Sequence, residues 1–390
     1  MGAAAPEPFT LHVDDAAITD LRERLARTRL PDQAPGDPWA YGTSVQALAD
    51  LVTTWRDRFD WRTHEARLNA WPQYKVRTCD IDLHFLHVPG QRAPGAPEPM
   101  PLLLSHGWPG SVFEFMKVIG PLTDPAAHGG DPADAFTVIA PSLPGYGLSY
   151  APGQKRFGCA EIGECFAHLM TEILGYRRFA AQGGDWGSFI TSRIAWAHPE
   201  NVIGIHLNMM PLRRDPAATA AASEEEQRYG RELAHFLAEE TGYQWIQGTR
   251  PQTLAFGLTD SPAGLAAWIL EKFQRWTDCD GDPTNVLTMD EMLADISLYW
   301  FTGCINASFW PYYDRRHAPW PVPSEPPITV PTGYSQFPHE ILRPPRSLAE
   351  RVYTDIRRWS VHDEGGHFAA LEQPQVLVDE IREMFRPLRA

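Results

Sequence analysis

The sequence predicts an α/β fold with a mostly parallel central sheet, an N-terminal helical arm and a helical lid. Three observations carry this. Short apolar runs at Leu102-Leu103-Leu104, Phe136 to Ala140 and Phe179-Ala180-Ala181 each end in a glycine-rich loop, with helical stretches between them. That is the pattern of parallel strands joined by crossover helices. From about Leu212 to Trp320 the strand pattern gives way to helical periodicity. Ahead of the first buried strand lie two amphipathic helices and a hairpin. These shifts divide the chain into an arm with the first hairpin (1–95), a first core segment (96–211), the lid (212–322) and a second core segment (323–390).

Taken in order, Ile18, Leu21 and Leu25 share one helical face, and Pro31 follows the end of that helix. Ser44 is a good N-cap for a second helix in which Val45, Leu48, Val52, Trp55 and Phe59 recur at three- and four-residue steps. The apolar faces of both helices are expected to cover the core. Val76 to Val88 reads as a hairpin, with Ile81, Leu83 and Phe85 alternating against polar neighbours. Pro89 to Pro101 is a Pro- and Gly-rich connection. After the three buried strands, Val202 to Leu207 is a further strand. Inside the lid, Ser261-Pro262 forms an N-cap and N1 pair before Leu265, Trp268, Ile269 and Phe273. Strands are expected again at Ile328-Thr329-Val330 and Ile356 to Val361, and a helix from Val376 to Phe385 closes the chain.

Composition narrows the function. The chain has 390 residues and 43% hydrophobic content, enough for one large or two domains with a sizeable core. A net charge of -15 argues against nucleic acid or an anionic membrane as partner. No apolar run approaches the ~20 residues that span a bilayer, and Met1 to Thr10 lacks the pattern of a signal peptide. Five cysteines (Cys79, Cys159, Cys165, Cys279, Cys304) have no metal-ligand spacing. They read as reduced, buried thiols of a cytoplasmic protein. The sequence leaves the oligomeric state open, a homodimer included.

The chemistry centres on Gly183-Gly184-Asp185-Trp186-Gly187. An apolar strand leads in, and Phe189, Ile190, Ile194 and Ala197 follow at helical spacing. Strand, tight glycine turn and helix make the setting of a nucleophile elbow, with Asp where G-x-S-x-G has Ser. The other reading is an ordinary glycine turn with a solvated Asp. A carboxylate nucleophile needs a base to deliver water, a group to orient the base, and donors for developing negative charge. His367, in Gly365-Gly366-His367-Phe368 after the last strand, has the chain position of such a base. The orienting acid is best read as Glu340, in Phe337-Pro338-His339-Glu340; Asp215, Asp363 and Glu364 are the alternatives. His106-Gly107-Trp108-Pro109 has the form of an oxyanion loop, offering the backbone N–H of Trp108 beside that of Trp186. Pro109 stiffens it, and Tyr146 in Pro144-Gly145-Tyr146-Gly147 reads as a wall of the site.

The motifs HGWPGS, PGYGLS, GGDWGS, SPAGLAAWILEKF, LYWFTG, PTGYSQFPHE and GGHFAALEQP together resemble the epoxide hydrolases of the microsomal type, within the α/β-hydrolase superfamily. With the N-terminal helices, the resemblance covers nearly the whole chain. It implies Asp185 as nucleophile, His367 as base, Glu340 as orienting acid and two lid tyrosines as acids. Tyr243, in TGYQWIQGTRP, matches the first; Tyr312, in SFWPYYD, matches the second, with Tyr313 as the off-by-one alternative. It further implies an apolar epoxide and water as substrates, with no cofactor and no metal. Trp108, Pro109, Tyr146, Trp186 and Phe368 are expected to line the substrate pocket. Two competing readings remain: a haloalkane dehalogenase with the same nucleophile, and a non-catalytic binding protein that keeps the pocket.

Overall fold

The computed structural model describes residues 5–92, 94–95, 97–212, 223–323 and 325–389. Among these, one sheet contains the strands β1 (Glu7–Pro8), β2 (Gln73–Thr78), β3 (Ile81–Val88), β4 (Met100–Ser105), β5 (Phe136–Pro141), β6 (Phe179–Gly183), β7 (Val202–Leu207), β8 (Thr332–Gln336) and β9 (Ile356–Val361). Their order across the sheet is β1-β2-β3-β5-β4-β6-β7-β8-β9. The pairs β1/β2, β2/β3 and β3/β5 are antiparallel, and every later pair is parallel. The fold is therefore an α/β-hydrolase sheet of mostly parallel strands.

This order matters for the site. It places β4 beside β6, with Ser105 level with Gly183. The loops that leave these two strands are thus neighbours at the carboxyl edge, where open α/β sheets carry their chemistry. The strands are apolar because helices cover both faces. Leu102, Leu103, Leu104, Phe179, Ala180 and Ala181 have no exposed surface.

The helices that follow β7 start at Glu224–Glu239 and end at Trp310–His317, before β8. Ser261 caps the helix Pro262–Trp276 through its hydroxyl, which accepts the Gly264 N–H at 3.0 Å. The arm helices Asp15–Ala26 and Val45–Asp57 bury Leu21, Leu25, Leu48, Val52 and Trp55 of the expected stripes, and Leu51 besides. Their partner differs from the expectation. Trp55 Nε1 donates to Ser297 Oγ at 2.9 Å, and the Thr43 hydroxyl donates to the Ala267 carbonyl at 2.7 Å. The arm thus packs on the inserted helices, since an apolar stripe says that a face is covered but not by what.

Two elements depart from the sequence reading. A third arm helix, Trp61–Asn69, follows an Asp60 cap. The strand expected at Ile328-Thr329-Val330 is displaced: Ile328 makes an isolated bridge to Tyr353, and the sheet strand is Thr332–Gln336. Pro331 sits between them without an N–H to donate. The real strand, Thr-Gly-Tyr-Ser-Gln, is buried yet polar enough to escape a search for apolar runs. All five cysteines are free; Cys79 is half-buried and the rest are buried. Among the described residues, no helix is long and apolar enough to cross a membrane.

Candidate active site

Asp185 begins the helix Asp185–Ala197 directly after β6, with a φ of 47°. A non-glycine residue in this left-handed region stores strain that the surrounding packing must hold. Its neighbours explain the glycines. A Cβ on Gly107 would lie 2.3 Å from the Asp185 Cβ, and one on Gly187 would lie 1.9 Å from the Ser105 carbonyl oxygen. The turn therefore closes only with glycine at both positions. The result is a carboxylate at a helix N-terminus, where the backbone dipole favours negative charge.

Each oxygen of that carboxylate has its own partner. The Trp108 N–H donates to Oδ1 at 2.7 Å. Oδ2 lies 3.5 Å from His367 Nε2. Trp186 follows in the first helical turn, where backbone N–H groups have no partner within the helix. His106 supports the loop from below: its Nε2 accepts the Leu143 N–H at 3.1 Å, and burial pushes it down to about 4, so it stays neutral.

His367 is fixed from several sides. Its N–H donates to the Trp276 carbonyl at 2.8 Å, and its ring lies 5.0 Å from the Trp276 ring. Glu372 ties the loop down, accepting from the Phe368 and Asp278 N–H groups, each at 2.9 Å. Nδ1 of His367 lies 2.7 Å from Glu340 Oε1, which also accepts the Ile341 N–H at 2.6 Å. Burial alone would lower the imidazole's affinity for a proton. The Glu340 carboxylate and the contact with Asp185 outweigh it, so His367 lies well above the ordinary histidine range. Burial pushes Glu340 up, and the imidazolium opposes this without cancelling it.

The alternatives for the acid fall elsewhere. Asp363 and Glu364 are exposed, and Asp215 lies outside the described residues. Glu340 follows β8 closely rather than a strand ending at Val330.

Aromatic rings gather beside the carboxylate. Tyr243 stacks on Trp108 at 5.5 Å, and the Tyr243 and Tyr312 rings lie 5.6 Å apart, edge to face. Tyr312 also meets Trp186 edge-on at 4.7 Å. Burial first, then Tyr243 and Asp185, push the Tyr312 phenol well above its ordinary range, so it remains a proton donor. Tyr313 stacks instead on Trp310 and His317, so the structure brings Tyr312 and not Tyr313 to this cluster. Tyr146 is fully buried with its ring against His106 at 5.6 Å, and Pro109 is buried in the same loop system. Phe368 meets the His367 ring edge-on at 5.1 Å.

Sequence reasoning missed Trp276, Glu372 and Lys272. The Lys272 ammonium sits 4.2 Å above the Tyr243 ring, in the wall of a cavity of about 620 Å³ that opens between Trp39–Gly42 of the arm and the inserted helices. The quoted motifs contain Lys272 and Glu372 and stop short of Trp276, and only the fold shows which side chains these three touch.

The chain matches the family model described as epoxide hydrolase N terminus over residues 6–115, and that of the alpha/beta hydrolase fold over residues 100–240. A protein of Stigmatella aurantiaca is 45% identical over 383 residues, covering 98% of this chain and 85% of its own. Epoxide hydrolase 1 of Sus scrofa is 37% identical over 401 residues, covering 96% of this chain and 87% of its own. Among solved structures, the juvenile hormone epoxide hydrolase of the silkworm Bombyx mori superimposes with a TM-score of 0.89 at 32% identity, covering 100% of this chain and 96% of its own. The Aspergillus niger epoxide hydrolase does so with a TM-score of 0.86 at 29% identity, covering 99% and 97%.

Proposed function

The chain belongs to the epoxide hydrolase family of the α/β-hydrolase fold and hydrolyses epoxides, and from that premise we propose that it does so through a covalent ester on Asp185, turning an apolar epoxide into a vicinal diol. The observation that supports this best is the division of the Asp185 carboxylate. Oδ1 is held by the Trp108 N–H, and Oδ2 is turned towards His367.

In the first step Asp185 attacks an epoxide carbon. Tyr243 and Tyr312 hydrogen-bond the ring oxygen and give it the proton it needs as the C–O bond breaks. In the second step His367, oriented by Glu340, takes a proton from water, whose oxygen adds to the ester carbonyl. The oxyanion that forms rests on the N–H groups of Trp108 and Trp186. Such a donor contributes about 3 kcal/mol of transition-state stabilisation. The bond between the Asp185 carbonyl carbon and the diol oxygen then breaks, and His367 returns its proton to that oxygen.

The order of events follows from charge. In the resting site Asp185 is an anion beside His367, which favours imidazolium. Esterification neutralises Asp185 and removes that support. The imidazole becomes a base only when there is an ester to hydrolyse.

Neither competing reading explains the tyrosines. A haloalkane dehalogenase needs no paired phenols beside the nucleophile. Ser188 cannot serve as a serine nucleophile because its hydroxyl donates to the Asp185 carbonyl at 2.6 Å. Trp108, Trp186 and Phe368 supply apolar surface for the substrate, with Pro109 and Tyr146 behind them. No cofactor or metal enters any of these steps. The free cysteines support a reducing, cytoplasmic setting. A panel of epoxides and haloalkanes, with chiral analysis of diols and measurement of halide, tests the assignment. Diol from epoxides without halide release is the expected result. Halide release without diol would replace this reading with the dehalogenase, and tight binding without turnover would replace it with a binding protein.

A further inference from the structure

The open cavity beside Tyr243 has no wall residue at Asp185 or His367, and other spaces lie closer to them. Beside Asp185 lies a small cavity, with about 20 Å³ of room for water, whose wall includes Asp185, His367, Gly107, Glu114 and Phe368. A second cavity, also with about 20 Å³ of room for water, runs outward from Glu114, Phe368 and Asp295 to Arg67 and Lys117. Glu114 and Phe368 belong to both walls, so the two spaces meet at these side chains. Arg67, at the outer end, is exposed.

The lining is unusual for a core. Asp295 sits on the helix Met289–Thr302 with 4% of its surface exposed, and neither carboxyl oxygen has a partner in hydrogen-bond geometry. A buried carboxyl left so costs about 1–3 kcal/mol or more. Water bridging such groups is the usual remedy where a cavity is polar and roomy enough. Glu114 folds back over its own loop: a Cβ on Gly110 would lie 1.4 Å from its Oε1. Its carboxyl is placed between Asp295 and the catalytic pair.

We propose that the two cavities form one passage for water and protons, entering at Arg67 and Lys117 and ending beside Asp185 and His367, with Glu114 and Asp295 as the groups that hand protons along it. This rests on the covalent reading above and adds to it the route by which the second step is supplied. Phe368 then takes a further part, as the apolar partition between this passage and the substrate side.

The proton balance calls for such a route. Ring opening takes one proton from a tyrosine, which is restored from the open mouth beside Tyr243. The resting His367 is protonated, and after esterification it must lose that proton before it can act as base. It passes it through Glu114 and Asp295 to solvent. The attacking water then brings two protons: one goes through His367 to the departing diol oxygen. The other stays on the regenerated Asp185 and moves to His367, restoring the resting state. One proton enters at the mouth and one leaves by the passage in each cycle, so the sum is water plus epoxide to diol.

The carboxyls have the affinity for this. Burial first, then Asp295, hold Glu114 well above the usual carboxylate range. Burial raises Asp295 to about 7, opposed in part by the Ser111 hydroxyl, which interacts with it short of full hydrogen-bond geometry. The charges facing them from other elements are accounted for. Lys117 is paired with Glu291 at 2.6 Å, and burial lowers His64, which therefore stays neutral. Tyr299, on the same helix as Asp295, donates to the Gly110 carbonyl at 2.9 Å and is held protonated by burial.

The test is single-turnover kinetics with wild type, Glu114→Gln, Asp295→Asn and Ala294→Leu, following ester formation and ester decay separately across pH. Ala294 lines the outer cavity, so leucine there narrows it and leaves every carboxyl in place. Ester formation should stay near the wild-type rate. Ester decay should slow by about tenfold or more in each variant, and the two carboxamide variants should also show a displaced pH profile, which a purely structural change would not produce. Ester decay at the wild-type rate, with the wild-type pH profile, in Glu114→Gln and Ala294→Leu overturns the passage. Should one of these fail to fold, the other decides. Absence of any ester on Asp185 in wild type would instead overturn the covalent reading, so the two failures are distinct.

Discussion

Glu340 and His367 stand 27 positions apart in the chain, yet their side chains meet at 2.7 Å with both fully enclosed. The contact joins the loop after β8 to the loop after β9. It leaves the second oxygen of Glu340 without a hydrogen-bond partner, so the carboxyl's interactions are concentrated on the imidazole and the Ile341 N–H. Removing its charge should therefore act on the base and little else. Glu340→Gln should slow ester decay by about 10² or more while ester formation changes much less. Rapid quenching and mass measurement of the intact protein should show the ester accumulating. Wild-type decay in Glu340→Gln, with loss in Asp215→Asn, would transfer the role to Asp215.

The tyrosines should show the opposite pattern. Tyr243→Phe and Tyr312→Phe should each lower the rate of ester formation by about tenfold or more, and the double variant should be nearly inactive. Tyr313→Phe should be silent, because that ring packs on Trp310 and His317. Loss of activity in Tyr313→Phe with none in Tyr312→Phe would contradict the assignment.

His367 should titrate differently in the two states of the cycle. In the free enzyme burial lowers its proton affinity, but Glu340 and Asp185 together raise it well above an ordinary imidazole. In the ester the Asp185 contribution is gone, so its pKa falls. Ester decay, which needs neutral imidazole, should rise with pH through an apparent pKa below that at which His367 titrates in the free enzyme. Comparing the decay profile with a magnetic-resonance titration of the imidazole checks this. Equal values would show that Asp185 does not control the base.

Gly107→Ala probes the closeness of the two loops. The added Cβ would meet the Asp185 Cβ at 2.3 Å, so the elbow or the loop must shift. Overpacking of this kind costs about 1–3 kcal/mol of stability, and it should also draw the Trp108 N–H away from Oδ1. Thermal unfolding and turnover should both fall. An unchanged melting temperature with full activity would show that the loops are not held as closely as this.

Much of this site was legible in the chain. Asp185 and His367 stood out because glycines frame them, and the glycines are required by close contacts of a kind that recurs wherever a strand turns sharply into a helix. Glu340 was less distinct, since nothing local separates it from Asp363 or Glu364; what selects it is the position of β8 beside β9. That strand itself was misplaced, because its buried residues are Thr, Gly, Tyr and Ser. The choice between Tyr312 and Tyr313 depends on the azimuth of one helix, which sequence spacing sets only through its neighbours. Asp295 could not be read as buried, nor Glu114 as half-buried. Alone, each is an acidic residue in a helical stretch, and only the fold brings the helix Met289–Thr302, the Gly107–Gly110 loop and the Phe368 loop around them.

The central claim is that Asp185 attacks carbon. The most direct measurement is a single turnover in ¹⁸O-labelled water with enzyme in excess, followed by mass analysis of the diol and of the peptide that contains Asp185. Water that splits the ester at its carbonyl leaves its oxygen on the enzyme, and the diol departs with the oxygen that Asp185 brought. The diol of the first turnover should therefore be unlabelled and the peptide labelled, with label reaching the product only in later turnovers. A fully labelled first-turnover diol and an unlabelled Asp185 would contradict the account, and would leave Asp185 as a general base.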